Sequence, residues 1–97
     1  MKPEKLKNPL KALADPTRLK ILLMLEGKPR PVSEIVDFFN LSQPTISRHL
    51  SVLKNVGLVK DKRAGQKVVY SLDTQKVQEI CLGICACFDC CKVKVQK

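Results

Sequence analysis

The stretch SQPTISRHLSVLKNVG, from Ser42 to Gly57, constrains this chain more than any other. Ser42 offers an N-cap hydroxyl, Pro44 fits the first turn, where a backbone N–H has no intrahelical partner, and Gly57 supplies a left-handed stop. These signals predict one bounded helix over 42–56. Within it Ile46, Leu50 and Leu53 recur at i, i+4 and i+7, the spacing of an inward stripe. At about 100° per residue, Pro44, Thr45, Ser47, Arg48, Ser51 and Asn55 fall on the opposite arc. That arc carries short hydroxyls and amides, one guanidinium and no carboxylate. A solvated surface helix normally mixes Glu with Lys, so an acid-free face in a chain of net charge +9 suits a polyanion. His49 lies on the flank of the stripe and is expected to be a hydrogen-bonded packing residue rather than a base reader.

The flanking segments give this helix its setting. Ser33 is placed to cap a helix carrying Ile35, Val36, Phe38 and Phe39 to a stop near Asn40, and Leu41 and Ser42 turn directly into the next helix. Helix, tight turn and polar-faced second helix make a helix-turn-helix, whose second helix enters the major groove. Upstream, Asn8-Pro9 is expected to cap a short helix holding Leu10, Leu13 and Ala14, which needs a packing partner to be stable. Asp15-Pro16-Thr17-Arg18 opens another, Pro16 to about Glu26, with Leu19, Leu22, Leu23 and Leu25 to bury and Gly27 to end it. Lys28 to Pro31 reads as a proline-bounded loop.

Downstream, Leu58 to Arg63 and Lys67 to Leu72 read as strands joined by Ala64-Gly65-Gln66, a hairpin wing over 58–72. Val68, Tyr70 and Leu72 alternate with Lys67, Val69 and Ser71, so one face should pack and the other stay wet. Lys60, Lys62, Arg63 and Lys67 gather near the tip, placed to meet phosphates. Asp73 then caps a last helix over 74–91, and Lys92 to Lys97 is a basic tail. The expected fold is mainly α with a β-hairpin wing, a winged helix-turn-helix.

A chain of 97 residues has room for a single domain, 1–97, with a modest core, and chains of this size often gain stability by pairing. Eighteen Lys and Arg against nine Asp and Glu point to an anionic polymer, nucleic acid before membrane. The longest apolar run, Ile21 to Leu25, is too short to span a bilayer, and MKPEKLKNP has no apolar core of a signal peptide. A cytoplasmic protein is expected.

LADPTRLKILLML (13–25), LSQPTISRHLSVLKNVGLV (41–59) and the wing ending in VVYSL (68–72) together resemble the ArsR/SmtB family of metalloregulatory repressors. The likeness covers roughly residues 6–80. It implies a homodimeric repressor that binds double-stranded operator DNA and lets go when a toxic metal or other inducer binds, with the first and last helices forming the dimer interface. Residue by residue, it points to Ser42, Gln43, Thr45, Ser47 and Arg48 as groove or backbone contacts, beside the wing cations Lys62, Arg63 and Lys67. Two family sites are missing. Pro31-Val32-Ser33 stands where arsenic sensors of the best-known type carry Cys-Val-Cys, and the last helix has no His for the zinc site that spans the dimer.

What the chain has instead is CLGICACFDCC, five cysteines between residues 81 and 91. A disulfide framework would spread its cysteines, so the cluster reads as a soft-ligand or redox site. Thiolates without imidazole select As(III), Sb(III), Cd(II), Pb(II), Cu(I) or Zn(II) and reject Mg and Ca. The resemblance favours arsenite or antimonite, which take three thiolates. On an unbroken helix Cys81 and Cys85 share one edge, Cys87 and Cys91 another, and Cys90 points away, so no straight turn presents three together. Either the helix frays near Cys87 or a partner chain completes the site. A three-coordinate site drawn from Cys85, Cys87, Cys90 and Cys91 is expected, with Cys81 as bystander on a stripe with Val77, Ile80, Ile84 and Phe88 that would be the dimer seam. The alternatives are a disulfide- or polysulfide-forming redox sensor, a Cd, Zn or Pb sensor, and a thiol-rich metal buffer, which would need neither the 42–56 helix nor the wing. An enzyme is disfavoured. The chain has no Ser/His/Asp set and no glycine-rich phosphate loop, and Cys-His catalysis would have to bring His49 to residues 81–91.

Overall fold

The computed structural model describes residues 3–88. Its elements are α1 (Pro3–Leu13), α2 (Pro16–Gly27), β1 (Arg30–Pro31), α3 (Val32–Phe39), α4 (Gln43–Asn55), β2 (Val59–Ala64), β3 (Lys67–Leu72) and α5 (Thr74–Ala86). The architecture is the winged helix-turn-helix expected: α3 and α4 form the helix-turn-helix and β2 with β3 the wing.

α4 keeps the boundaries its caps dictate. Ser42 stands in an extended conformation and its Oγ accepts the Thr45 N–H at 3.3 Å. At the other end Gly57 takes φ +82°, and the Leu58 N–H reaches back to the Leu53 carbonyl at 3.0 Å, a closure that needs a left-handed residue between them. Ile46, Leu50 and Leu53 are all wholly buried. Around them the core gathers Leu6 and Ala12 of α1, Ile21, Leu22 and Leu25 of α2, Ile35 of α3, Leu58 and Val59 leading into the wing, and Ile80 of α5. The α3–α4 turn depends on Asn40, which sits at φ 53° and donates its N–H to the Val36 carbonyl at 3.0 Å. Asn is among the few non-glycine residues that take that conformation readily.

Several elements differ from the sequence reading. α1 begins at Pro3, so Pro9 lies inside the helix rather than at its cap. An interior proline forfeits one backbone bond and costs about 3 kcal/mol, but here the ring is itself buried in line with Leu6 and Ala12, while Leu10 faces out. In α2, Ile21 replaces Leu19 and Leu23 in the core; those two leucines are exposed. α3 starts at Val32 with Pro31 as N-cap and no side-chain cap, so Ser33 lies within the first turn. The loop before it contains β1, which pairs antiparallel with β3 (Arg30 opposite Tyr70, Pro31 opposite Val69) and makes a three-stranded sheet in the order β1-β3-β2. As the middle strand, β3 is flanked on both sides, and Val69 and Ser71 are half-buried like Val68, Tyr70 and Leu72. The hairpin turn is two residues, Gly65 at φ +66° and Gln66, because Ala64 pairs with Lys67 and belongs to the strand.

Asp15 opens α2 as its motif requires, its Oδ1 accepting from the Thr17 N–H at 2.8 Å and the Arg18 N–H at 3.1 Å. The bond from the Arg18 N–H holds the carboxyl below its usual range, against the opposing pull of partial burial. A depressed carboxyl stabilises the fold above the unfolded value of about 3.9 and loses that contribution as pH falls through the folded value. Asp15→Ala therefore costs about 1 kcal/mol at pH 7, with the gap to the unmodified protein narrowing below about pH 4. Urea unfolding at the two pH values checks both; an equal gap at each would mean the cap is not made by the carboxylate.

Candidate nucleic-acid interface

The face of α4 turned from the core presents Gln43, Ser47, Arg48, Ser51 and Asn55, all exposed, with Thr45 half-buried. Thr45 is drawn in because its Oγ1 shares a hydrogen bond with Ser42 Oγ at 2.8 Å, which fixes both hydroxyls at the start of the helix. α4 carries no acidic residue in its first turn and has Lys54 in its last. Gln43 and Ser47 do not stand alone: with Ser33 of α3 and Gln66, Lys67 and Tyr70 of the hairpin they line one groove of about 320 Å³. The outer face of α4 and the wing thus bound one groove, whose lining Pro31, Val32 and Val68 complete with apolar surface. Sequence reasoning missed Ser33, Gln66 and Tyr70, because only the β1–β3 pairing brings that stretch alongside α4.

The wing cations divide. Residues opposite one another across an antiparallel ladder share a face, so the pairings Lys60–Ser71, Lys62–Val69 and Ala64–Lys67 put Lys60, Lys62 and Lys67 on one side of the hairpin. Arg63, opposite Val68, lies on the other side with Asp61 and Tyr70. That is the side on which Asp61 Oδ2 meets Lys54 Nζ of α4 at 3.0 Å, while Lys67, at the start of its strand, still borders the groove with Gln43 and Ser47. The ion pair neutralises the one carboxylate of the wing. Burial first, and then Asp61, push the Tyr70 phenol above its usual range, so it stays a neutral hydroxyl. His49 is half-buried with its Nδ1 3.3 Å from Arg18 Nη1, a hydrogen-bonded packing residue as expected.

α5 is capped by Asp73, whose Oδ1 accepts the Lys76 N–H at 3.1 Å. The expected helix to residue 91 is shorter: α5 ends at Ala86, and the N–H groups of Cys87 and Phe88 close onto Ile84 and Cys85 at 3.0 Å each, the tighter turn common at helix ends. Cys85 is half-buried and Cys81 and Cys87 are exposed, while the Cys87 thiol donates to the Gly83 carbonyl at 3.4 Å. Cys90 and Cys91 lie outside the described residues. Among the described residues no three His, Cys, Asp or Glu side chains converge to hold a metal ion. Part of the stripe expected as a dimer seam is engaged within the subunit itself. Ile80 is buried and Val77 and Ile84 pack on the chain's own core, leaving Leu82 and Phe88 as the large apolar side chains that α5 and its end expose.

The profile described as "Bacterial regulatory protein, arsR family" matches residues 15–61, from the α2 cap into β2. The transcriptional repressor SdpR of Bacillus subtilis is 44% identical over 72 residues, which cover 74% of this chain and 80% of SdpR. The chain belongs to the ArsR family. The arsenic resistance transcriptional regulator ArsR1 of Pseudomonas putida is 43% identical over 70 residues, 70% of this chain and 54% of that protein. The chain thus spans little more than half the length of some ArsR-family relatives. A homodimeric winged helix-turn-helix DNA-binding domain from Mycobacterium bovis, Mb0332, superposes with a TM-score of 0.73 at 30% identity, covering 81% of this chain and 74% of that one. These ArsR-family relatives are transcription regulators, not enzymes. No described helix is long and apolar enough to cross a membrane.

Proposed function

We propose that this ArsR-family regulator is a cytoplasmic, operator-binding repressor that acts as a homodimer through α1 and α5 and is released from DNA by a thiophilic inducer. The observation that carries the reading is the acid-free outer face of α4 beside a basic wing. Ser42, Gln43, Thr45, Ser47 and Arg48 are the groove or backbone contacts, and Lys62, Arg63 and Lys67 meet phosphates. Leu10 on α1 and Leu82 and Phe88 at the end of α5 are 43%, 55% and 55% exposed, apolar surface that a second copy would cover. The homodimeric state of the Mb0332 domain supports pairing.

The inducer is arsenite or antimonite, held by three thiolates from Cys85, Cys87, Cys90 and Cys91. Donors that are all sulfur, and the arsenic-resistance name of the relative ArsR1, favour it over Cd(II), Zn(II) or Pb(II). Gathering three thiolates at the C-terminal end of α5 distorts the seam and takes the two α4 helices out of step with successive major grooves, about 34 Å apart. A coupling of about 1–3 kcal/mol lowers operator affinity 5- to 150-fold. The exposed Cys87 thiol favours a second reading, in which oxidants or reactive sulfur convert the same cysteines to disulfide or polysulfide.

Fluorescence anisotropy on a duplex selected from a randomised pool tests both readings. The complex is titrated with arsenite, antimonite, cadmium, zinc and a polysulfide donor, with and without reductant. Arsenite release under reducing conditions is expected. Replacing Cys90 and Cys91 together by Ser should leave DNA binding intact and abolish that release; release that persists would place the site elsewhere.

A further inference from the structure

Arg18 is the most fully engaged cation among the described residues, and nothing in the reading of the groove uses it. Its Nε–H donates to the Ala12 carbonyl at 2.7 Å, its Nη2 to the Lys11 carbonyl at 3.4 Å, and its Nη1 lies 3.3 Å from His49 Nδ1. Asp15 Oδ2 stands 4.0 Å from the same Nη1, and the Arg18 side chain is only 18% exposed. All three guanidinium nitrogens are therefore committed. Arginine has donors only, so in this contact His49 Nδ1 is the accepting atom.

The partners come from the ends or middles of three helices. Lys11 and Ala12 lie in the last turn of α1, where carbonyls have no intrahelical N–H to accept from and the helix end favours a cation. His49 lies in α4, next to Arg48 and two residues from Ser47. Arg18 itself sits in the first turn of α2, with its own N–H fixed on Asp15. One rigid planar group thus joins the C-terminal end of α1 to the middle of the reading helix, on the flank away from the groove face. A lysine could not replace it, because an ammonium has no fork to hold carbonyl and imidazole in fixed relation.

We propose that Arg18, acting through His49, is a positioning residue for DNA recognition: it sets the rotation and height of α4 relative to α1. The inference rests on the reading that α4 enters the groove and that α1 lies in the dimer seam. On that reading, Arg18 is where a change in the seam reaches Arg48 and Ser47. Random-sequence DNA, bound mainly through phosphates, tolerates a small rotation of α4; base edges do not.

A double-mutant cycle tests it. Arg18→Met, which keeps the aliphatic stem, and His49→Phe should each lower affinity for the selected duplex about tenfold, the worth of one partly buried hydrogen bond. The double variant should be no weaker than either single one, and affinity for random duplex should change less than about twofold. His49→Gln retains a carbonyl acceptor and should restore most of the specific affinity. In the free protein, amide exchange in α4 should quicken with Arg18→Met and not with His49→Gln. Independent, multiplying losses in the cycle, equal losses on random duplex, or no rescue by glutamine would each overturn the proposal. Should Arg18→Met fail to fold, the His49→Phe and His49→Gln pair decides by the same specific-to-random ratio. An unmodified protein that ignores duplex DNA would refute the functional reading, while the exchange measurement would still report on the brace.

Discussion

Truncating Leu50 to alanine lowers the free energy of unfolding by about 2–5 kcal/mol, from a total that for domains of this kind is only about 5–15 kcal/mol. Leu50 is wholly buried at the centre of the α4 stripe, between Ile46 and Leu53, which are equally closed to solvent. Removing its isobutyl group forfeits both the transfer free energy and the contacts around the space it leaves. That space is bounded by helices and the sheet, which cannot all move inward. Ser51, the next residue, is exposed, and Ser51→Ala should stay within about 0.5 kcal/mol of the unmodified protein. Urea denaturation of the three proteins makes the comparison. A loss under 1 kcal/mol at Leu50 would mean that the stripe does not pack as described.

Arg48→Ala should cost about 1–3 kcal/mol of affinity for the selected duplex, the range for a guanidinium paired with the O6 and N7 of a guanine. Arg48 is exposed near the middle of the acid-free face, so its removal leaves no cavity and no unpaired buried partner, and stability should hold. The discriminating measurement is the ratio between selected and random duplex. A fall confined to the selected sequence makes Arg48 a base reader; an equal fall on both, with the salt dependence reduced by about one phosphate, makes it a backbone contact. Lys54, six residues along, should not behave this way, because its ammonium is already held by Asp61.

The parts legible in the sequence were those fixed by local chemistry. α4 could be bounded because Ser42, Pro44 and Gly57 act on the few residues next to them, and its inward face because only Ile46, Leu50 and Leu53 are spaced for it. α2 shows where that logic stops. ILLML is apolar all round, so periodicity could not choose between Leu19 with Leu23 and Ile21, and the choice fell to the neighbours that α1, α4 and the sheet supply. Asn8-Pro9 resembles a helix start because proline favours the first turn, whereas here its buried ring compensates in packing for the bond it breaks. β1 is only two residues long, and its partner strand lies some forty residues away, a pairing without a local signal. The same holds for Arg18 and His49, 31 positions apart. The acid-free face of α4 was therefore visible from the sequence, while the groove it shares with the wing, and the Arg18–His49 contact behind it, were not.

The short strand before α3 has a mechanical consequence. Because Arg30 and Pro31 are stitched to Tyr70 and Val69, and Lys54 to Asp61, the hairpin is fastened at both margins to the bundle that carries α4. Such a hairpin has no hinge of its own. If α4 seats in the groove as proposed, the wing should leave the duplex together with it, with no half-released intermediate in stopped-flow records.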